Sequence, residues 1–166
     1  MSSESSAEVI GRASAVALWG LRGKIVSIEA GVSAGLPGID IVGLPDISVS
    51  ESRKRLRAAL AYLGAPVATQ HLTINLTPGT VPKIGTGFDL GIAVAVLKAL
   101  GLIDNDDTGD IIHCGEIGLD GRIRPVTGVL PALHTGMQSG FDRFVVPIGN
   151  ASSRIVAMSF CEPRSW

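Results

Sequence analysis

Apolar and polar residues alternate after Lys24, as in a strand with one buried face. Val26, Ile28, Ala30 and Val32 point to one side, and smaller or polar residues lie between them. The dipeptide Asp-Gly at positions 120–121 predicts a hairpin between two further apolar runs. The predicted strands are residues 15–18, 24–33, 39–42, 71–76, 111–117, 122–126 and 144–147.

A first helix is predicted from about residue 46 to residue 63. Leu56 and Leu60 lie four positions apart on one face, as in an amphipathic helix. Asp46 and Ser48 are both candidate N-caps, and Ser48 with Glu51 three residues later fits a capping box.

Two more helices are predicted, at about residues 87–100 and 128–138. The first is apolar nearly all round and is expected at the centre of the core. Pro131 is tolerated in the second because it falls within the first helical turn. Strands and helices follow one another without strict alternation, which favours a mixed sheet covered by helices.

Composition indicates one folded domain. The chain has 166 residues, of which 46% are hydrophobic and 17% charged, with a formal net charge of −1. Aromatic residues make up 4%, too few for a base-stacking platform. The start shows no secretory pattern, no apolar run is long enough to span a membrane, and two cysteines fit a reducing compartment. We therefore expect a cytoplasmic protein without membrane partners.

Most motifs that would carry chemistry are absent or incomplete. Gly23-Lys24 lacks the remainder of a phosphate-binding loop, so no ATPase can be inferred. The acidic run at residues 104–110 begins like a calcium loop, but Gly115 stands where the bidentate glutamate belongs, so no metal site is predicted. His113 and Cys114 are neighbours in a predicted strand, so their side chains are expected on opposite faces.

One cluster of positive charge stands out. Arg53, Lys54, Arg55 and Arg57 crowd the first predicted helix, opposite its leucine stripe. Such a cluster is either a solvated helix face or a contact for a phosphate backbone or an acidic partner. These four residues are the candidate nucleic-acid-binding residues.

Several motifs, in order along residues 14–150, resemble the N-terminal domain of the Mg-chelatase-related AAA+ proteins, the group of ComM-like and YifB-like proteins. The motifs are GLPGIDIVGLPD at 35–46, the basic run that ends at 57, NLTP at 75–78, Pro-Lys at 82–83, FDL at 88–90 and GEIGLDGRIRPV at 115–126.

The resemblance implies an α+β fold of the ribosomal protein S5 domain 2 type, similar to the Lon protease domain. It also implies an AAA+ ATPase domain, with ATP and Mg bound there, in a hexameric motor for DNA branch migration during natural transformation. Residues 151–166 do not resemble the usual continuation of the family, and residues 1–13 are expected to be a disordered lead-in. We predict no cofactor for this chain itself.

The resemblance to Lon peptidases can be examined position by position. It places Asp89 where those enzymes have the nucleophilic serine, and Leu130 where they have the lysine base. A carboxylate and an apolar side chain cannot perform that acyl transfer, so no catalytic residue is predicted. Asp89 is instead expected to support the start of its helix, three residues after Thr86.

The sequence therefore predicts a non-catalytic accessory domain that serves assembly or DNA engagement. Its expected partners are the AAA+ domain of the same family, further copies of the chain, and DNA. Two alternatives remain open. One is an unconventional hydrolase built on Lys83, Asp89 and the loop of Thr86, and the other is a purely structural oligomerisation module.

Overall fold

A six-stranded mixed sheet is the main element of the fold. The computed structural model describes residues 9–105 and 110–151, and within them there are eight strands and three α-helices. The strands are β1 (Gly11–Trp19), β2 (Arg22–Ser33), β3 (Gly38–Val42), β4 (His71–Thr77), β5 (Ile111–His113), β6 (Glu116–Ile117), β7 (Ile123–Arg124) and β8 (Arg143–Val145). The helices are α1 (Ile47–Tyr62), α2 (Asp89–Ala99) and α3 (Val129–Gln138).

The strand order in the large sheet is β3-β4-β2-β1-β5-β8, and β6 and β7 form a separate two-stranded sheet. β1 pairs with β2, and β2 with β4, in antiparallel register, whereas the pairs β3–β4, β1–β5 and β5–β8 are parallel. The predicted mixed sheet with covering helices is therefore confirmed.

Helices cover both faces of this sheet. On one face, α2 approaches β1 so closely that a Cβ on Gly11 would lie 1.9 Å from the carbonyl oxygen of Ala95. On the other face, Gly136 of α3 packs against Phe144 and Ile112. Ile112 lies beside Ser14 in the sheet, so the two side chains share a face. Ser14 precedes Ala15, which faces the core, and Ser14 and Ile112 therefore lie on the other face.

The main apolar core lies between the sheet and helices α1 and α2. Alternate residues of β2 and β4 face this core, and the leucines of the predicted stripe on α1 cover the side away from the sheet. Its fully buried large side chains include Ile28, Leu56, Leu60, Leu72, Ile74, Leu76 and Ile92.

The start of α1 corrects one prediction. Asp46 is the N-cap, and its carboxylate accepts a hydrogen bond of 2.7 Å from the amide of Val49. Ser48 is already helical, so the predicted capping box of Ser48 and Glu51 is wrong. Asp46 is favoured because its other carboxylate oxygen also accepts from the amide of Gly85, at 3.2 Å, which ties α1 to the loop before α2.

The strand boundaries differ from the predictions by one residue or more, most clearly at β1 and at residues 111–117. β1 begins at Gly11, so the end of the predicted lead-in belongs to the sheet, and residues 1–8 lie outside the described residues. The predicted strand at 111–117 is two strands, because the chain leaves the sheet at Cys114. There the amide of Gly115 donates a hydrogen bond to the carbonyl oxygen of Gly87, and the carbonyl oxygen of Gly115 accepts one from the amide of Leu90.

The predicted Asp-Gly hairpin forms, but with shorter strands. β6 pairs with β7 in antiparallel register, and Gly121 occupies the turn with a φ of 77°. The side chain of Leu63, just after α1, lies 3.3 Å from the position that a Cβ on Gly121 would take. The turn of this hairpin therefore rests against the end of α1.

Candidate functional site

The site begins with Asp89, the first residue of α2 and the position matched to the Lon serine. Its side chain is 1% exposed and lies between α1, α2 and β6. It accepts hydrogen bonds from Arg55 Nε at 2.6 Å, from Arg55 Nη2 at 3.0 Å, from the hydroxyl of Ser52, and from the amide of Ile117 at 3.2 Å. We call Ser52, Arg55 and Asp89 the buried polar triad.

Arg55 is the cation of this triad. Its side chain is 19% exposed, and it also donates to the carbonyl oxygen of Ser48, at 3.0 Å. The hydrogen bond to Asp89 raises the pKa of Arg55 above its ordinary value, against the opposing effect of burial. A bidentate pair of this kind fixes both side chains and joins α1 to α2.

Leu130 holds the position matched to the Lon lysine. It is the second residue of α3, and 61% of it is exposed. Its side chain has no basic atom, and the carboxylate of Asp89 is already bonded to α1 and β6. The two matched positions therefore contain neither a nucleophile nor a base arranged for acyl transfer.

A cleft of about 430 Å³ lies between the loop before α2 and the start of α3. Thr86, His113, Cys114 and Thr127 contribute polar side chains to its lining. His113 and Cys114 both line the cleft, and the prediction that their side chains lie on opposite faces stays a prediction. β5 ends at His113, so Cys114 is the first residue after the strand.

Burial shifts the pKa values of two groups in the cleft, His113 and Cys114, in the direction that favours their neutral forms. Burial lowers the pKa of His113, helped by the nearby charge of Lys98 and opposed by a weak contact with the carbonyl of Ser14. Burial raises the pKa of the Cys114 thiol to about 11. A thiol with this pKa is protonated at neutral pH and is a poor nucleophile.

The hydrolase alternative also includes Lys83 and Thr86, and these two residues lie in different surroundings. Lys83 is fully buried, and its ammonium donates to the carbonyl oxygen of Pro78. Burial lowers its pKa from the usual lysine value. Thr86 lines the cleft, but its side chain does not cap a helix. The geometry therefore gives the hydrolase alternative no support.

The basic cluster on α1 divides into two parts. Arg53, Lys54 and Arg57 are exposed, while Arg55 turns inward to Asp89. Arg53 makes a local hydrogen bond of 2.9 Å to the carbonyl of Ser50. The solvent face of α1 therefore carries three of the four predicted cations, and we call these three the outer cations.

The described residues hold no group of three potential metal ligands, and no helix among them is long and apolar enough to cross a membrane. Of the acidic run at 104–110, residues 106–109 lie outside the described part of the chain.

The buried polar triad could not be found from sequence patterns. Ser52 and Arg55 lie three residues apart on the predicted helix, but Asp89 is 34 residues beyond Arg55. The available signal is a carboxylate at the start of a nearly apolar helix, since a buried carboxylate needs a cation or several donors.

The described residues form a mixed sheet with covering helices, as the resemblance leads one to expect. Comparison with known protein families agrees, because the family described as subunit ChlI of Mg-chelatase matches residues 28–150. The chain belongs to this family and is a ComM-like and YifB-like member of its Mg-chelatase-related AAA+ group.

Individual relatives give the same result. The chain is 45% identical to an uncharacterized protein of Mycobacterium tuberculosis over 85% of its own length and 28% of the relative. It is 36% identical to the competence protein ComM of Haemophilus influenzae, over 72% of the chain and 24% of that protein. It is 31% identical to the Lon protease of Mycolicibacterium smegmatis, over 86% of the chain and 19% of that protease. The chain thus spans about a quarter of the length of its ComM-like relatives.

Proposed function

We propose that this chain is a non-catalytic accessory domain of a ComM-like AAA+ ATPase, with a fold of the ribosomal protein S5 domain 2 type. In this proposal it serves DNA engagement in a DNA-remodelling assembly of several copies, and the AAA+ domain of the family binds ATP and Mg.

The state of the matched catalytic positions supports an accessory role. Asp89 is occupied by four hydrogen bonds and Leu130 has no basic atom, while burial keeps the Cys114 thiol protonated. In this proposal the domain acts through contacts at its surface.

The outer cations are the observation that carries the DNA part of the proposal. Arg53, Lys54 and Arg57 project from one helix into solvent, and the described part of the chain shows no carboxylate partner for them. Unpaired exposed cations can neutralise phosphates and release counterions, which gives salt-dependent binding.

The test is charge reversal of the outer cations. We expect Arg53→Glu, Lys54→Glu and Arg57→Glu together to weaken binding of a fluorescein-labelled DNA by roughly tenfold or more in fluorescence anisotropy, and to flatten its salt dependence. The matched control reverses Arg22, Lys24 and Arg143, three exposed cations on other elements, with the same change in net charge.

Equal loss of affinity in both variants would show a general effect of net charge and would contradict a specific surface. Unchanged DNA binding in the first variant, with a changed sedimentation coefficient, would instead assign the outer cations to assembly.

A further inference from the structure

The cleft before α3 lies where a sheet of this kind binds ligands. β1 and β5 are parallel neighbours, and the cleft opens at their carboxyl ends, next to Leu18 of β1 and His113, the last residue of β5. The helices before and after β5, α2 and α3, cover opposite faces of the sheet. Open sheets with helices on both faces bind their ligands in the crevice at such a point. The volume of about 430 Å³ is within the range of small-molecule sites.

Backbone amides supply hydrogen-bond donors to this cleft. Thr86 and Gly87 line it, and their amides make no hydrogen bond to another described residue. Gly128 also lines the cleft, and α3 begins there without a side-chain cap. The first amides of a helix point toward its N-terminus and have no partner within the helix, so those of Val129 and Leu130 are directed toward the cleft. None of the described residues that line the cleft is acidic.

His113 adds a buried side chain with one unpaired ring nitrogen. The residue is 5% exposed, and its Nδ1 lies 3.4 Å from the carbonyl oxygen of Ser14. Nε2 has no hydrogen-bond partner among the described residues, although no fully buried side-chain nitrogen or oxygen of those residues is left unpaired. Nε2 is therefore the atom through which His113 reaches the cleft.

We propose that the cleft binds an oxyanion, the carboxylate or phosphate group of a ligand, between the amides of residues 86–87, the first turn of α3 and Nε2 of His113. Amides of a glycine-rich loop and of a helix start are donors that bind such groups in proteins. The apolar side chains of Val16, Leu18 and Phe88 also line the cleft and can contact the rest of the ligand. No residue of α1 lines the cleft, so this site is separate from the outer cations and goes beyond the proposed DNA function.

Binding of the oxyanion is coupled to protonation of His113. With Nδ1 facing a carbonyl oxygen, the neutral ring carries its proton on Nδ1 and presents a lone pair at Nε2. An oxyanion beside Nε2 favours uptake of one proton from water at that atom, against the burial and the charge of Lys98 that lower the pKa of His113. Cys114, the other titratable residue of the lining, has a pKa of about 11 and stays neutral. Affinity for the oxyanion should therefore rise as the pH falls.

The experiment titrates sulfate into the purified, ¹⁵N-labelled 166-residue chain at constant ionic strength. Sulfate is chosen because its own charge does not change in this pH range. We expect saturable chemical-shift changes at the amides of Thr86, Gly87 and Leu130. The affinity at about pH 5.5 should be at least about threefold higher than at about pH 8.

A matched pair of glycine variants tests the place of binding. Gly87→Val fills the cleft, because a Cβ at this position would lie 3.8 Å from Sγ of Cys114, and it should weaken sulfate binding by roughly tenfold. Gly79→Val is the control, in an exposed loop where a Cβ would meet nothing within 4 Å, and should bind like the parent chain. His113→Gln should bind sulfate with little dependence on pH.

The outcomes decide the proposal separately from the DNA function. No saturable shift, shifts confined to the outer cations, or equal weakening in Gly87→Val and Gly79→Val would overturn it. If Gly87→Val fails to fold, His113→Gln decides, and the parent's pH dependence in that variant would overturn the proposal. Reversal of the outer cations should leave sulfate binding intact even where it abolishes DNA binding.

Two larger probes distinguish the sources of the oxyanion. Phenyl phosphate represents a phosphate ester, and N-acetylglycine represents the carboxyl terminus of a peptide. Tighter binding of one of them, with the same amides shifted, assigns the ligand class. Failure of both to displace sulfate would contradict a ligand site in the cleft.

Discussion

Helix α1 carries two kinds of arginine within five positions. Arg55 lies against α2 with a bidentate bond to a buried carboxylate, whereas Arg53 and Arg57 point into solvent. The first kind holds the fold together, because the charges of a buried pair are removed from water and depend on each other. The second kind contributes little to stability and is available to a partner. A run of like charges in a sequence can thus contain one residue that joins two helices and others that are available to a partner.

The largest expected effect comes from breaking the buried pair. Arg55→Ala leaves the carboxylate of Asp89 buried with only Ser52 and the amide of Ile117 as donors, and should lower the free energy of unfolding by about 3 kcal/mol. Urea denaturation followed by circular dichroism measures this change. A double-mutant cycle with Asp89→Ala should show strong coupling, and additive effects would contradict the triad.

A pH titration sharpens the comparison, because His113 is a buried basic side chain paired with a backbone carbonyl instead of a carboxylate. Its pKa is lowered, so below the ordinary value of 6.5 the unfolded chain takes up a proton that the folded chain does not. The free energy of unfolding should therefore decrease as the pH drops below about 6.5.

His113→Gln should remove this part of the pH dependence, measured as the free energy of unfolding at several pH values. His134→Gln, at an exposed position, is the control for the substitution itself. An unchanged pH slope in His113→Gln would show that His113 does not carry the effect.

The smallest effect is expected at the outer cations. Arg53→Ala, Lys54→Ala and Arg57→Ala should each change the free energy of unfolding by less than about 0.5 kcal/mol, because each side chain is exposed. Thermal and urea unfolding of the three variants would check this. A loss comparable to that of Arg55→Ala would remove the distinction between the two kinds of arginine.

Local patterns predicted much of the fold. The leucine stripe of α1, the apolar character of α2 and the Asp-Gly turn all depend on neighbours in sequence, and the structure confirms them. The split at Cys114 was missed because apolar character continues through residues 111–117, while the backbone there changes partners from β8 to α2.

The candidate site was less accessible to sequence reasoning. Asp89 and Leu130 were located through the resemblance, but the partners of Asp89 come from elements far along the chain. Nothing in the spacing of the four cations distinguishes Arg55 from Arg53. That distinction depends on where α2 crosses α1, which is a property of the tertiary packing.

The bond between Arg55 and Asp89 also bears on how this domain can evolve. A single exchange of Asp89 for serine would introduce a hydroxyl at the matched position, but it would leave the partly buried guanidinium of Arg55 without its counter-ion. The ion pair between the two helices thus ties the residue at position 89 to the residue at position 55, so that neither can be exchanged alone without leaving the other uncompensated.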